Sequence, residues 1–126
     1  MSEDATNQPL HVAELSGRCM GNAQIASMLL DKFEKQLNAD VGVMQGQLAS
    51  GDCAQLAKTV HALKGAAGAV AATGVHTLAA QLEGLAREQR LEEAAASLKR
   101  LRAEVDRCLA YLPRAREHLQ GKGGAG

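Results

Sequence analysis

Aromatic residues are almost missing from this chain: they make up 2% of its 126 residues, with one Phe, one Tyr and no Trp. A core cannot then be built around large rings, and Ala and Leu, both strong helix formers, have to supply it. Proline is as scarce. Pro9 and Pro113 are the only two, so nothing between them breaks a helix for want of a backbone N–H. Neither sign of charge is in excess, with 14 Lys plus Arg against 14 Asp plus Glu, which leaves no global field to hold the chain on nucleic acid or an anionic membrane. No run of 18 apolar residues is present, and Met1-Ser2-Glu3-Asp4 is acidic where a signal peptide would be basic and then apolar. A cytoplasmic protein that neither spans nor binds a membrane is expected. Cys19, Cys53 and Cys108 are odd in number and lack C-x-x-C spacing, which argues against a disulfide framework or a zinc site and for small buried hydrophobes.

What remains is helical pattern. After a polar, flexible leader (1–8), Pro9 suits the first position of a short helix through Leu15 that the Gly17–Gly21 segment ends. Asn22 caps a long helix to Ala49, with Ile25, Leu29, Phe33, Leu37, Val41, Met44 and Leu48 as its apolar stripe. Gly51 stops it, and Asp52 with Gln55 starts the next as a capping box. There Leu56, Val60, Leu63, Ala67 and Val70 are spaced by fours and threes and must face a core. Ala71-Ala72-Thr73-Gly74 reads as a break with Thr73 as cap, followed by a helix with stripe Val75, Leu78, Leu82, Leu85. The last stripe is Leu91, Ala94, Leu98, Leu101, Val105, Cys108 and Leu112, with Pro113 ending or bending the helix and a flexible Gly-rich tail over 120–126. The expected fold is all-α: an antiparallel four-helix bundle over 9–119 with a short additional N-terminal helix.

On a wheel centred on the Leu56–Val70 stripe, His61 points about 140° from the core, into water. Lys64, Gly65 and Gly68 share its face, and Lys58 flanks it one turn earlier. Imidazole with an unperturbed pKa near 6.5 keeps a free ring nitrogen at neutral pH and can attack phosphorus. An ammonium one turn away can balance phosphoryl charge. Each glycine costs a helix interior about 0.5–1 kcal/mol relative to Ala, and bare positions beside the histidine would let another protein close over it. The plainer alternatives are a solvated face and glycines that admit a neighbouring helix.

His61-Ala62-Leu63-Lys64-Gly65-Ala66-Ala67-Gly68 resembles the phosphorylation motif of histidine phosphotransfer (HPt) domains, H-x-L-K-G followed by small residues. Gly51-Asp52, Leu82-Glu83 and Phe33 also resemble the family's pattern, so the likeness covers roughly Leu10 to Leu112. The resemblance implies that His61 is the phosphoacceptor, Lys64 the phosphoryl-facing lysine, Gly65 the opening for the partner, and Glu83 a residue able to hold the inner ring nitrogen. It implies transfer from a phospho-aspartyl receiver domain to a response regulator, with a hybrid sensor histidine kinase upstream, Mg²⁺ in the partner and no cofactor or metal of the chain's own. The family commonly has Gly-Ala where this chain has Ala71-Ala72 and delays its glycine to Gly74, which leaves open the start of the fourth helix and the reach of Glu83. His11, His76 and His118 lack a matching neighbourhood and read as incidental surface residues.

Rival classes fare worse. A kinase needs a glycine-rich ATP-binding domain, which a short all-helical chain does not offer. Metal bundles use inward Glu-x-x-His pairs and c-type haem needs C-x-x-C-H, and neither occurs. The alternative that survives is a helical adaptor or dimerisation bundle without phosphotransfer, whereas the relay reading predicts a monomer.

Overall fold

The computed structural model describes residues 8–125, and its regular elements are five helices: α1 (Val12–Arg18), α2 (Ala23–Ala49), α3 (Cys53–Ala69), α4 (Thr73–Arg87) and α5 (Leu91–Ala125). Each begins and ends for local reasons. The Asn22 side chain accepts from the Ile25 N–H at 3.0 Å and that of Asp52 from the Gln55 N–H at 3.1 Å, so both expected caps hold a first-turn donor. All four connections close by the same pair of backbone bonds, Gly21 to Ser16 and Met20 to Gly17 after α1, and Asp52 to Gln47 and Gly51 to Leu48 after α2. Ala72 to Ala67 and Ala71 to Gly68 repeat the pattern after α3, and Arg90 to Leu85 and Gln89 to Ala86 after α4. The residue at the turning point is left-handed each time, yet only Gly51 is a glycine there; Met20, Ala71 and Gln89 take φ of 55°, 61° and 58°.

Thr73 is therefore not the cap expected of it. Ala72 holds the cap position without a side-chain bond, α4 starts at Thr73, and the Thr73 hydroxyl lies 3.0 Å from His11 Nε2. Gly74 serves packing instead: a methyl group there would run into the Glu104 carboxylate of α5.

The long helices pack in a ring, α2 on α3, α3 on α4, α4 on α5 and α5 on α2, while α1 lies against α2 and α5. Leu56, Val60, Leu63 and Ala67 of α3 are fully buried, as their spacing requires. On α2 the stripe turns differently from expectation: Ala26 and Leu30 are buried with Phe33, Leu37 and Met44, and Ile25 is 48% exposed. Seven residues bring a helix back to within about 20° of its starting direction, while eight overshoot by about 80°, so Ala26 and not Ile25 aligns with Phe33. Likewise Ala79 and Ala86 join Val75 and Leu82 in the core while Leu78 and Leu85 are half-buried, and Leu91 lies outside at 42% exposure. Cys19 and Cys108 are buried, and burial pushes the Cys108 thiol up to about 12; Cys53 is only half-buried, unlike the expected third core thiol.

Two expectations at the ends also change. Pro9 is buried in a bend ahead of α1, whose first residue is Val12. Pro113 sits exposed inside α5 without ending it, because Ala115 and Leu119 continue the buried stripe and Arg116 bridges to Asp31 and Glu34 of α2. That burial offsets the roughly 3 kcal/mol cost of an interior proline. The helical span reaches Ala125 and so overlaps the expected tail at 120–126, while the expected leader falls almost entirely outside the described residues.

Candidate functional site

The middle of α3 presents His61 to solvent because its neighbours Val60 and Leu63 take the core direction, and the imidazole is 62% exposed. Opposite it, α4 places Glu83 next to Leu82 at the edge of its own buried stripe. Glu83 is one of two buried polar residues in the described chain, 6% exposed. Buried carboxylates need partners. Glu83 has three: Lys64 Nζ reaches Oε1 at 2.9 Å, His61 Nδ1 reaches Oε2 at 2.9 Å, and Arg87 donates to Oε2 from Nη2 at 2.7 Å and Nε at 3.1 Å. The Lys64 hydrogen bond foremost, with those of Arg87 and His61, overcomes the opposing effect of burial and holds the Glu83 carboxyl down at about 2.

That ionisation fixes the proton on the imidazole. A carboxylate only accepts, so Nδ1 is the N–H donor and Nε2 carries the lone pair. Nε2 has no hydrogen-bond partner among the described residues. The arrangement is an oriented, solvent-facing imidazole beside two cations and one anion.

The remaining predicted residues divide. Gly65 is exposed, and a methyl group added there would meet nothing within 4 Å, which rules out a role in admitting a neighbouring helix. Gly68 differs: the His76 ring lies 3.5 Å from where its Cβ would be, and Arg18 of α1 donates to its carbonyl and, at 3.3 Å, to that of Ala69. Its face is partly covered. Lys58 is exposed and forms no ion pair among the described residues. Lys64, expected as the phosphoryl-facing lysine, is 29% exposed with its ammonium engaged by Glu83.

Three residues escaped the sequence reading. Arg87 belongs to the cluster, and its spacing of four from Glu83 was the signal for it. His76 and His11 are not incidental: His76 Nδ1 lies 3.3 Å from the Lys64 carbonyl, and the His11 N–H donates to Ala71 O at 3.0 Å, tying the start of α1 to the α3–α4 turn. Nothing in their sequence neighbourhood marks either contact. Among the described residues no cluster of His, Cys, Asp and Glu is placed to hold a metal, and no helix is long and apolar enough to cross a membrane.

An oriented, exposed imidazole held by a buried carboxylate defines a class: a protein able to carry a group on histidine. The model of the Hpt domain matches residues 28–111, and the chain belongs to that family. Its function is accordingly histidine phosphotransfer in a two-component phosphorelay, in which Hpt domains act as carriers between kinases and receiver domains. No curated protein and no solved structure matches the chain.

Proposed function

We propose that His61 is the phosphoacceptor, taking a phosphoryl group at Nε2 from the phospho-aspartyl receiver domain of a hybrid sensor histidine kinase and passing it to a response regulator. The observation that carries this reading is the Nδ1–H of an exposed imidazole held at 2.9 Å by a buried, ionised Glu83. In the forward step the Nε2 lone pair attacks phosphorus, an N–P bond forms, and the P–O bond to the aspartyl oxygen breaks so that the carboxylate leaves with that electron pair. Nδ1 keeps its proton throughout. Glu83 stabilises the cationic ring of the phosphorylated state, and Lys64 and Arg87 lie within the same cluster to offset phosphoryl charge of about −1.5 to −2. Gly65 leaves the approach to Nε2 clear, with Lys58 and Gly68 along the same face.

On this reading the chain is a monomeric cytoplasmic carrier and not a kinase, with Mg²⁺ belonging to the receiver partner. Incubation with a phosphorylated receiver domain tests it: label should appear on the wild type, be lost in acid and survive base, as a phosphoramidate does once its nitrogen is protonated. A label that survives acid, or that persists in His61→Gln, would assign the phosphoryl group elsewhere.

A further inference from the structure

Below the histidine, towards the α2–α3 turn, the surface between α3 and α4 does not close. A groove of about 310 Å³ runs there, with Ala57 and Ala86 as its buried floor, Ala54 and Gln89 as walls, and Lys58 and Arg87 on its rim. It exists because three positions facing the gap are alanine, where longer apolar side chains would fill it. Helical geometry makes it continuous with the phosphoacceptor face, since Ala57, Lys58 and Ala54 precede His61 by four, three and seven residues. On α4, Arg87 belongs both to the groove and to the Glu83 cluster.

Its chemistry names the occupant. The volume suits one or two side chains and falls at the lower limit for a cofactor pocket. The floor is apolar. The rim is cationic, with Lys58 in no ion pair among the described residues and Arg87 61% exposed beyond its bond to Glu83. We propose that this groove receives an apolar side chain flanked by carboxylates, presented by the receiver domain that exchanges phosphoryl with His61, so that seating it holds that domain on the phosphoacceptor face. The inference rests on the phosphoacceptor reading and adds the surface that selects the partner. Charge on the rim raises the encounter rate with an acidic surface, and the alanine floor sets which side chain fits.

The test uses the full chain, a receiver domain that phosphorylates the wild type, and phosphoramidate as a small donor that needs no docking. Ala54→Leu fills the exposed wall of the groove, and Ala54→Glu places a carboxylate in it. Both should keep the wild-type thermal melt and wild-type labelling by phosphoramidate, while KM for the phosphorylated receiver rises about tenfold with kcat unchanged, a change typical of one well-placed interface residue. The Ala54→Glu defect should shrink at high salt. An unchanged KM in both variants overturns the proposal, as does an equal fall in phosphoramidate labelling, which would mean that the groove acts on His61 itself. A wild-type dimer in sedimentation that Ala54→Leu dissociates would give the groove to a second copy of the chain and overturn it too. If the wild type accepts phosphoryl from neither donor, the phosphoacceptor reading fails first and the groove loses its partner with it.

Discussion

Two charge clusters hold helices together in this bundle, and they are built in opposite ways. Between α2 and α5 one arginine serves two carboxylates: Arg116 Nη2 lies 2.9 Å from Asp31 and 2.6 Å from Glu34, which are 58% and 41% exposed. Between α3 and α4 one buried carboxylate serves three donors, with Glu83 at the centre. In the first cluster water competes for every group, so the pairs fasten a surface at little gain. In the second the carboxylate has left water, and the donors must stay where it is. The difference is one between fastening and aiming: only the buried anion dictates the tautomer and direction of a ring that itself remains in solvent.

The comparison can be broken in four places. His61→Gln should abolish phosphoryl acceptance outright while changing stability by no more than about 0.5 kcal/mol, because the ring is mostly exposed. Phosphotransfer assays with circular dichroism check both halves. Glu83→Gln should slow acceptance by about 10–100-fold, the scale on which groups that orient reactive imidazoles act, and should cost about 1–3 kcal/mol.

The stability loss in Glu83→Gln also carries a pH signature. Glu83 is held at about 2 against an ordinary 4.5, so the carboxylate contributes its full stabilisation above about pH 4.5 and loses it as pH falls towards 2. Urea melts of wild type and variant should differ at pH 7 and converge in that acid window. Gly65→Gln should cut transfer from a receiver domain but raise the melting temperature slightly, by about 0.5–1 kcal/mol of helix propensity, since nothing in the bundle lies within 4 Å of the added Cβ. Smallest of all, Arg116→Ala should cost about 0.2–1 kcal/mol in a thermal melt and leave transfer untouched. A loss of transfer there would erase the contrast between the two clusters.

Much of this was legible in the residues because it is local. Asn22 and Asp52 cap helices through side chains that reach only three residues onward, and the α3 stripe from Leu56 to Ala67 puts His61 outside by rotation alone. The motif around His61 supplied the phosphoacceptor expectation and the partner class. What stayed hidden depends on neighbours. Ala71 at φ 61° gives no sign in sequence of standing in a left-handed turn, which is why Thr73 looked like the cap. That Pro113 does not end α5 is hidden too, because the packing of Ala115 and Leu119 beyond it is set by the neighbouring helices. The spacing puts Lys64 on the face of His61 but gives no sign of its ion pair with Glu83, since the burial of Glu83 is a property of the α3–α4 packing and of neither helix alone.

The central claim is that Glu83 keeps the proton on Nδ1 and leaves Nε2 to take the phosphoryl group. Long-range ¹H–¹⁵N correlation spectra of ¹⁵N-histidine-labelled protein, recorded before and after phosphorylation by a receiver domain, read both nitrogens of His61 directly. The account predicts a proton on Nδ1, bonded to Glu83, before transfer and phosphorus bonded to Nε2 after it. Phosphorus on Nδ1, or a His61 ring protonated at Nε2 in the resting protein, would contradict it.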